Sequence, residues 1–251
     1  PARLRQPAQP TATQQDMIIE QYFSEPNGHI CFTREQGSNF AKQMANDFNP
    51  LHDADAKRFC IPGDLLFAII LAKYGINQHM EFVFSGMVAA GIELVLPEPA
   101  QDLHINDTQG KEYLRVQRTG DNSRDASLIQ NLTQSYVEFS GQTFPHILVP
   151  LLAEQHVMIS PDRPMVIYES MSIDLDRLDI QQPVLQGDYN TLEINGKRGS
   201  VELAFNLADD GEIVGRGKKH MLLSGLREYD EDIIAGAIAT YNNSKKAFAA
   251  R

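Results

Sequence analysis

Two residue types that do acid–base chemistry near neutral pH stand close together in the stretch Ala45-Asn46-Asp47-Phe48-Asn49-Pro50-Leu51-His52. Asp47 supplies a carboxylate and His52 an imidazole. A proline turn separates them, so the chain can double back and aim both side chains at one cavity. Such a pair can take a proton at one point of a substrate and return one at another. Asn49 lies inside the turn, where its side chain can hold the bend and also meet a bound substrate. Lys57 and Arg58 follow as cations suited to phosphate oxygens. Asp53 and Asp55 lack the ligand spacing and the glycine of a calcium loop, so no metal site is expected.

These residues need elements to hold them. Thr33 and Gln36 form a capping box, which starts a helix from about Arg34 to Ala45 with Phe40, Ala41, Met44 and Ala45 on one face. The helix must end before Asn49-Pro50, because a residue ahead of proline is pushed out of the helical region. Pro62-Gly63-Asp64 then opens the segment Leu65 to Tyr74, which is apolar on every side and therefore enclosed by other elements. Strand-like runs follow at Glu81 to Phe84, Ile92 to Leu96, Glu112 to Arg118 and Leu128 to Phe139, with turn formers between them.

A second apolar segment, Phe144 to Met158, is interrupted by Pro150 and precedes strand candidates at Met165 to Ile173, Asn190 to Ile194, Ser200 to Leu207 and Gly211 to Leu223. Glu231 to Phe248 reads as a closing helix with Ile233, Ile234, Ala237, Ile238 and Tyr241 inward. The repeated order predicts an α+β fold in which antiparallel sheet wraps around central apolar helices, in two similar halves. On this reading residues 17–139 carry the Asp-His motif. Residues 140–251 hold no Asp five positions before a His and are expected to be non-catalytic. Residues 1–16, rich in Pro, Gln, Ala and Thr, read as an added remnant or disordered leader.

Composition narrows the function classes. The formal net charge of −11 argues against non-specific binding to nucleic acid or anionic lipid. Two cysteines, Cys31 and Cys60, are too few for a disulfide framework or a zinc site and fit a reducing cytoplasm. The longest apolar stretch, Leu65 to Ala72, falls far short of the roughly 20 residues of a membrane span, so no membrane partner is expected. Gly215-Arg216-Gly217-Lys218-Lys219 is glycine-rich and basic, but it lies in a strand pattern with no helix after it and is not read as a phosphate loop. No dinucleotide fingerprint or serine nucleophile elbow occurs, and no cofactor is expected.

Phe32-Thr33-Arg34-Glu35, Asn46-Asp47-Phe48-Asn49-Pro50-Leu51-His52 and Ile61-Pro62-Gly63-Asp64-Leu65-Leu66 together resemble the hydratase motif of the MaoC-like, (R)-specific 2-enoyl-CoA hydratases. The chain as a whole also resembles an uncharacterised bacterial family. The motif implies a double hot-dog fold and syn hydration of a conjugated acyl thioester, of coenzyme A or of an acyl carrier protein. It assigns Asp47 and His52 to the water, and the Gly63 amide at the start of the central helix to the thioester carbonyl. Where that family commonly has His-Gly-Met, this chain has Pro62-Gly63-Asp64; an Asp64 turned inward would set a negative charge beside the developing enolate, and one turned outward would not. A non-catalytic acyl-thioester or lipid-binding module and a hot-dog thioesterase are the alternatives. A tandem chain of this kind could complete its own sheet pair or still form a homodimer.

Overall fold

The computed structural model describes residues 19–160 and 165–250. The leader reading of residues 1–16 lies outside the described residues. Among the described residues no helix is long and apolar enough to cross a membrane.

The first helix, α1 (Arg34–Gln43), starts with the capping box: Thr33 Oγ1 accepts from Gln36 N and Gln36 Oε1 accepts from Thr33 N. The second, α2 (Gly63–Tyr74), buries Leu65, Phe67, Ile70 and their neighbours on all sides, as an all-round apolar helix must. Four antiparallel strands follow it: β1 (Ile76–Phe84), β2 (Leu94–Val95), β3 (Asp102–Asp107) and β4 (Glu112–Ser123). Then comes α3 (Ala126–Gly141), a short helical turn at Thr143–His146, α4 (Leu148–Glu154) and β5 (Val157–Met158). Four long strands complete the sheet: β6 (Met165–Leu175), β7 (Val184–Asn195), β8 (Arg198–Asp209) and β9 (Glu212–Ser224). The short β10 (Arg227–Glu228) pairs with β5, and α5 (Glu231–Ala249) closes the chain.

The eight-stranded sheet has the order β2-β3-β4-β1-β6-β9-β8-β7. Read outward from its middle, each side repeats one topology: first strand, fourth, third, second. The two first strands, β1 and β6, pair antiparallel with Glu81 opposite Ser172 and Met80 opposite Ile173, so the repeats are related by an approximate twofold through that ladder. Each repeat opens with a helix cradled by its sheet, α2 in the first and α3 in the second. Phe67 of α2 meets Phe82 of β1 edge-on at 5.2 Å and Tyr136 of α3 at a tilt at 4.6 Å, and Tyr136 and Phe139 continue onto Phe205 of β8. One core therefore runs through both helices. This is a double hot-dog.

Leu128 to Phe139 is helix and not strand. Asp125 accepts from Leu128 N as the cap, and Leu128, Leu132, Tyr136 and Ser140 recur every fourth residue on the buried face. Its β-branched and aromatic residues imitate a strand; tertiary packing on α2 overrides that propensity. The division expected at 139/140 falls inside this helix. The segment Phe144 to Met158 is correspondingly not a second central helix. It breaks at Phe144-Pro145 and at Ile147 into a helical turn, α4 and β5, with Pro150 tolerated in the first turn of α4, and its Leu148 and Leu152 cover Val201, Leu203 and Met221 at the far end of the second repeat. The run from His29 to Phe32 makes only isolated bridges, Ser24 with Cys31 and Ile30 with Leu94. On α5, Ile234 and Tyr241 are buried, but Ile233 faces out at 43% exposure.

Candidate active site

The Asp47 loop is shaped by its own backbone. Asn46, directly after α1, takes a positive φ of 51°, a conformation Asn tolerates better than most residues, and Asp47 N then donates to Ala41 O at 2.8 Å. The Asn49 side chain accepts from Leu51 N at 3.1 Å and starts the 3₁₀ turn Pro50–His52, while Asn49 N donates to Asp47 Oδ1 at 2.9 Å. Asn49 therefore holds both the turn and the carboxylate. Arg34, in the first of the motif's three blocks, donates to the carbonyl oxygens of Ala54 and Ala56 at 3.0 and 2.8 Å and pins the rest of the loop. Lys42 pairs with Asp53 at 2.8 Å.

These constraints bring Asp47 Oδ2 to 3.9 Å from His52 Nε2, with side-chain exposures of 22% and 14%. That separation is too long for a direct hydrogen bond, yet one water oxygen at about 2.8 Å from each atom fits between them. The other imidazole nitrogen, Nδ1, lies 2.9 Å from the Cys60 carbonyl oxygen and donates to it, which fixes the ring with Nε2 toward Asp47. Burial raises the Asp47 carboxyl above the ordinary carboxylate range, against the pull of His52 and the Asn49 amide. For His52 burial works the other way, but contacts with Cys60 and the charge of Asp47 outweigh it and bring the ring up to about 9.

Asp47 and His52 line a cavity of about 540 Å³ between α2, α4, α5 and the sheet. Asn49 and Gly63 line it too. No side chain caps α2; Leu65 N donates to Pro62 O at 3.1 Å, which leaves the Gly63 amide at the helix start to meet an oxygen, and the helix dipole favours negative charge there. Gly63 has no room for a side chain: a methyl would stand 2.9 Å from the Tyr168 ring. Lys57 and Arg58, by contrast, are exposed and lie outside the cavity lining. Arg115 is held in a two-pronged pair with Asp102, and Arg118 is buried on the carbonyls of Tyr74 and Ala100.

Asp64 points inward at 8% exposure, so the outward alternative does not hold. Facing the same cavity is Lys219 of β9, a residue that sequence reasoning passed over. Its signal was the period-2 burial of β9, in which Gly217, Lys219, Met221 and Leu223 all turn inward. Burial lowers the Lys219 ammonium, and the charges of Asp64 and Asp47 oppose that shift. The second repeat thus contributes ionisable chemistry to the cavity.

The family described as "Protein of unknown function (DUF3581)" matches residues 17–232. The chain belongs to this family. Curated proteins give no match. Solved structures resemble this DUF3581 chain at low identity. A MaoC-like dehydratase is 8% identical with a TM-score of 0.40, over 80% of this chain and 97% of its own. Acyl-CoA thioesterase II TesB2 from Mycobacterium marinum is 10% identical with a TM-score of 0.38, over 67% and 90%. A bifunctional dehydratase-cyclase domain from ambruticin biosynthesis is 12% identical with a TM-score of 0.31, over 66% and 81%.

Proposed function

We propose that this DUF3581 protein is a hydratase or dehydratase of the MaoC-like type, acting on an acyl thioester. The observation that carries the reading is the Asp47–His52 pair, set 3.9 Å apart in a largely apolar cavity that the Gly63 start of α2 also lines. In the hydration direction Asp47 takes a proton from the shared water, whose oxygen bonds to the β-carbon of the 2-enoyl group. The π electrons move onto the thioester oxygen, where the Gly63 amide at the start of α2 meets the developing charge. His52, as imidazolium, gives its Nε2 proton to the α-carbon. The pair resets when Asp47 passes its proton back to His52. Both transfers occur on one face, which gives syn addition.

The test is hydration of crotonyl-CoA by the wild-type chain, followed by loss of the conjugated thioester. Hydration that disappears in Asp47→Asn and His52→Ala supports the reading. Release of free thiol without hydration supports a thioesterase instead, and tight acyl-CoA binding without either reaction supports a binding module.

A further inference from the structure

Asp47, His52 and Gly63, which line the cavity from the first repeat, do not account for the rest of its wall. Leu148, Val149, Leu152, Val166, Met221 and Ile234 also line it; all follow α3 in the chain, and the hydration scheme gives them no task. Strand register places this apolar wall relative to the reaction centre. The Tyr168 ring of β6 stands against Gly63, 2.9 Å from where a methyl would be. Tyr168 pairs with Met221 of β9, and Met221 with Val201 of β8. Neighbouring strands lie about 4.8 Å apart, so this strip leads from the start of α2 across the second repeat. Helix α4 lies over it. Its Leu148 and Leu152, one turn apart, pack with Met221, Val201 and Leu203. Both leucines and Met221 face the cavity while Val201 and Leu203 do not, so α4 and β9 wall the space on that side. Lys219, the preceding inward residue of β9, is turned to other partners: its Nζ donates to Ser140 Oγ and lies 4.3 Å from the centre of the Tyr168 ring.

An apolar wall selects an apolar ligand. A carboxylate, hydroxyl or amide set against Leu148, Leu152 and Met221 would leave water and gain no hydrogen bond from them. A plain alkyl chain has no such loss and gains up to about fourfold in affinity for each methylene it buries. Volume sets the length of that chain. At about 540 Å³ the cavity holds roughly 18 groups of the size of a water molecule or a methylene, at roughly 30 Å³ each. The four carbons of a crotonyl group leave most of that space empty, and walls left uncovered forgo their dispersion contacts. The thioester and the arm that carries it take part of the remainder. We propose that the second repeat and α4 select medium-chain acyl groups of about eight to twelve carbons, the alkyl tail lying between Met221 and the leucines Leu148 and Leu152. The inference rests on the acyl-thioester reading and names its substrate class.

Calorimetric titration of the full chain with saturated acyl-CoAs of four to sixteen carbons tests this, because none of them can be hydrated. Affinity is expected to rise from butanoyl-CoA by up to about fourfold per added methylene, to peak at about eight to twelve carbons, and to be at least about tenfold below that peak for hexadecanoyl-CoA. Leu152→Trp fills the space beside Met221 and moves the peak to a chain at least about two carbons shorter, whereas Leu152→Ala moves it to a longer one. A peak that stays in place in a folded variant overturns the proposal. Equal binding of all lengths overturns it, and so does affinity that climbs without a break to hexadecanoyl-CoA; both leave the acyl-thioester reading intact. Failure of every acyl-CoA to bind overturns both. If neither variant folds, the wild-type series decides alone, by the presence or absence of the peak.

Discussion

Gly141, the last residue of α3, lies against the backbone carbonyl of Ala45: a methyl at Gly141 would stand 1.7 Å from the Ala45 oxygen and 2.7 Å from its carbon. The contact joins the second repeat directly to the loop that carries Asp47. Backbone cannot rotate aside as a side chain can, so Gly141→Ala must push the end of α1 and the Asp47 loop away from α3. The variant is expected to lose about 1–3 kcal/mol of stability and, through the displaced carboxylate, more than about tenfold in hydration. Thermal melting and crotonyl-CoA turnover read the two effects. Wild-type values for both would show that the loop position does not depend on this contact.

Asp47→Asn separates function from stability. Burial raises the Asp47 carboxyl, so folding works against its charge and the buried carboxylate costs stability relative to the unfolded chain at neutral pH. The asparagine keeps an oxygen for the Asn49 N–H and carries no charge. The variant is expected to melt at the wild-type temperature or above it, and to hydrate crotonyl-CoA about 10²- to 10⁴-fold more slowly. A variant that melts lower and loses activity in proportion would mark Asp47 as a structural residue.

The pH profile follows from the same two groups. His52 titrates at about 9 in the folded chain against 6.5 ordinarily, a raised value, so its contribution to stability is complete below 6.5 and is lost as pH rises through about 9. The imidazolium that delivers the α-proton is lost over the same range. Hydration is expected to fall on the alkaline side near pH 9, and on the acid side at a pH above the ordinary carboxylate range, where Asp47 protonates. His52→Gln should remove the alkaline limb from any residual rate and from the stability curve. A rate that stays level through pH 10, roughly one unit beyond, contradicts the acid role of His52.

The reach of the sequence is uneven for physical reasons. Local signals were strong where a residue's role is satisfied by its neighbours: the Thr33–Gln36 capping box, the all-round apolar α2 and the Asn49-Pro50 turn are each written in a few consecutive residues. Leu128 to Phe139 failed because Thr133, Tyr136 and Val137 favour strand locally, and only the distant Phe67 and Phe205 contacts make the helix pay off. Asp64 and Lys219 lie 155 positions apart in the chain (219 − 64), and nothing local announces that they share a cavity. The alternation along β9 put Lys219 inside; what it faced could come only from the fold.

The closing helix α5 is held to the site through few contacts. Phe48, between Asp47 and Asn49, meets Tyr241 edge-on at 6.0 Å and Phe248 at 5.7 Å, and the Tyr241 hydroxyl donates to Asn46 O at 3.3 Å. Of the helix itself only Ile234 and Tyr241 are buried. Phe48→Ala removes both ring contacts. Truncating a buried Phe typically costs about 3–5 kcal/mol, but here the loss falls on an element otherwise anchored by Phe144 against Tyr241 and by Ile234 with Val149 and Met158, outside the main core, so α5 should release before the sheet does. Hydrogen exchange is expected to quicken along α5 while β1 and β6 keep their protection, and the KM for crotonyl-CoA to rise as the cavity opens to water. Uniform loss of protection across the sheet would instead make Phe48 part of the common core, with α5 unable to move independently of it.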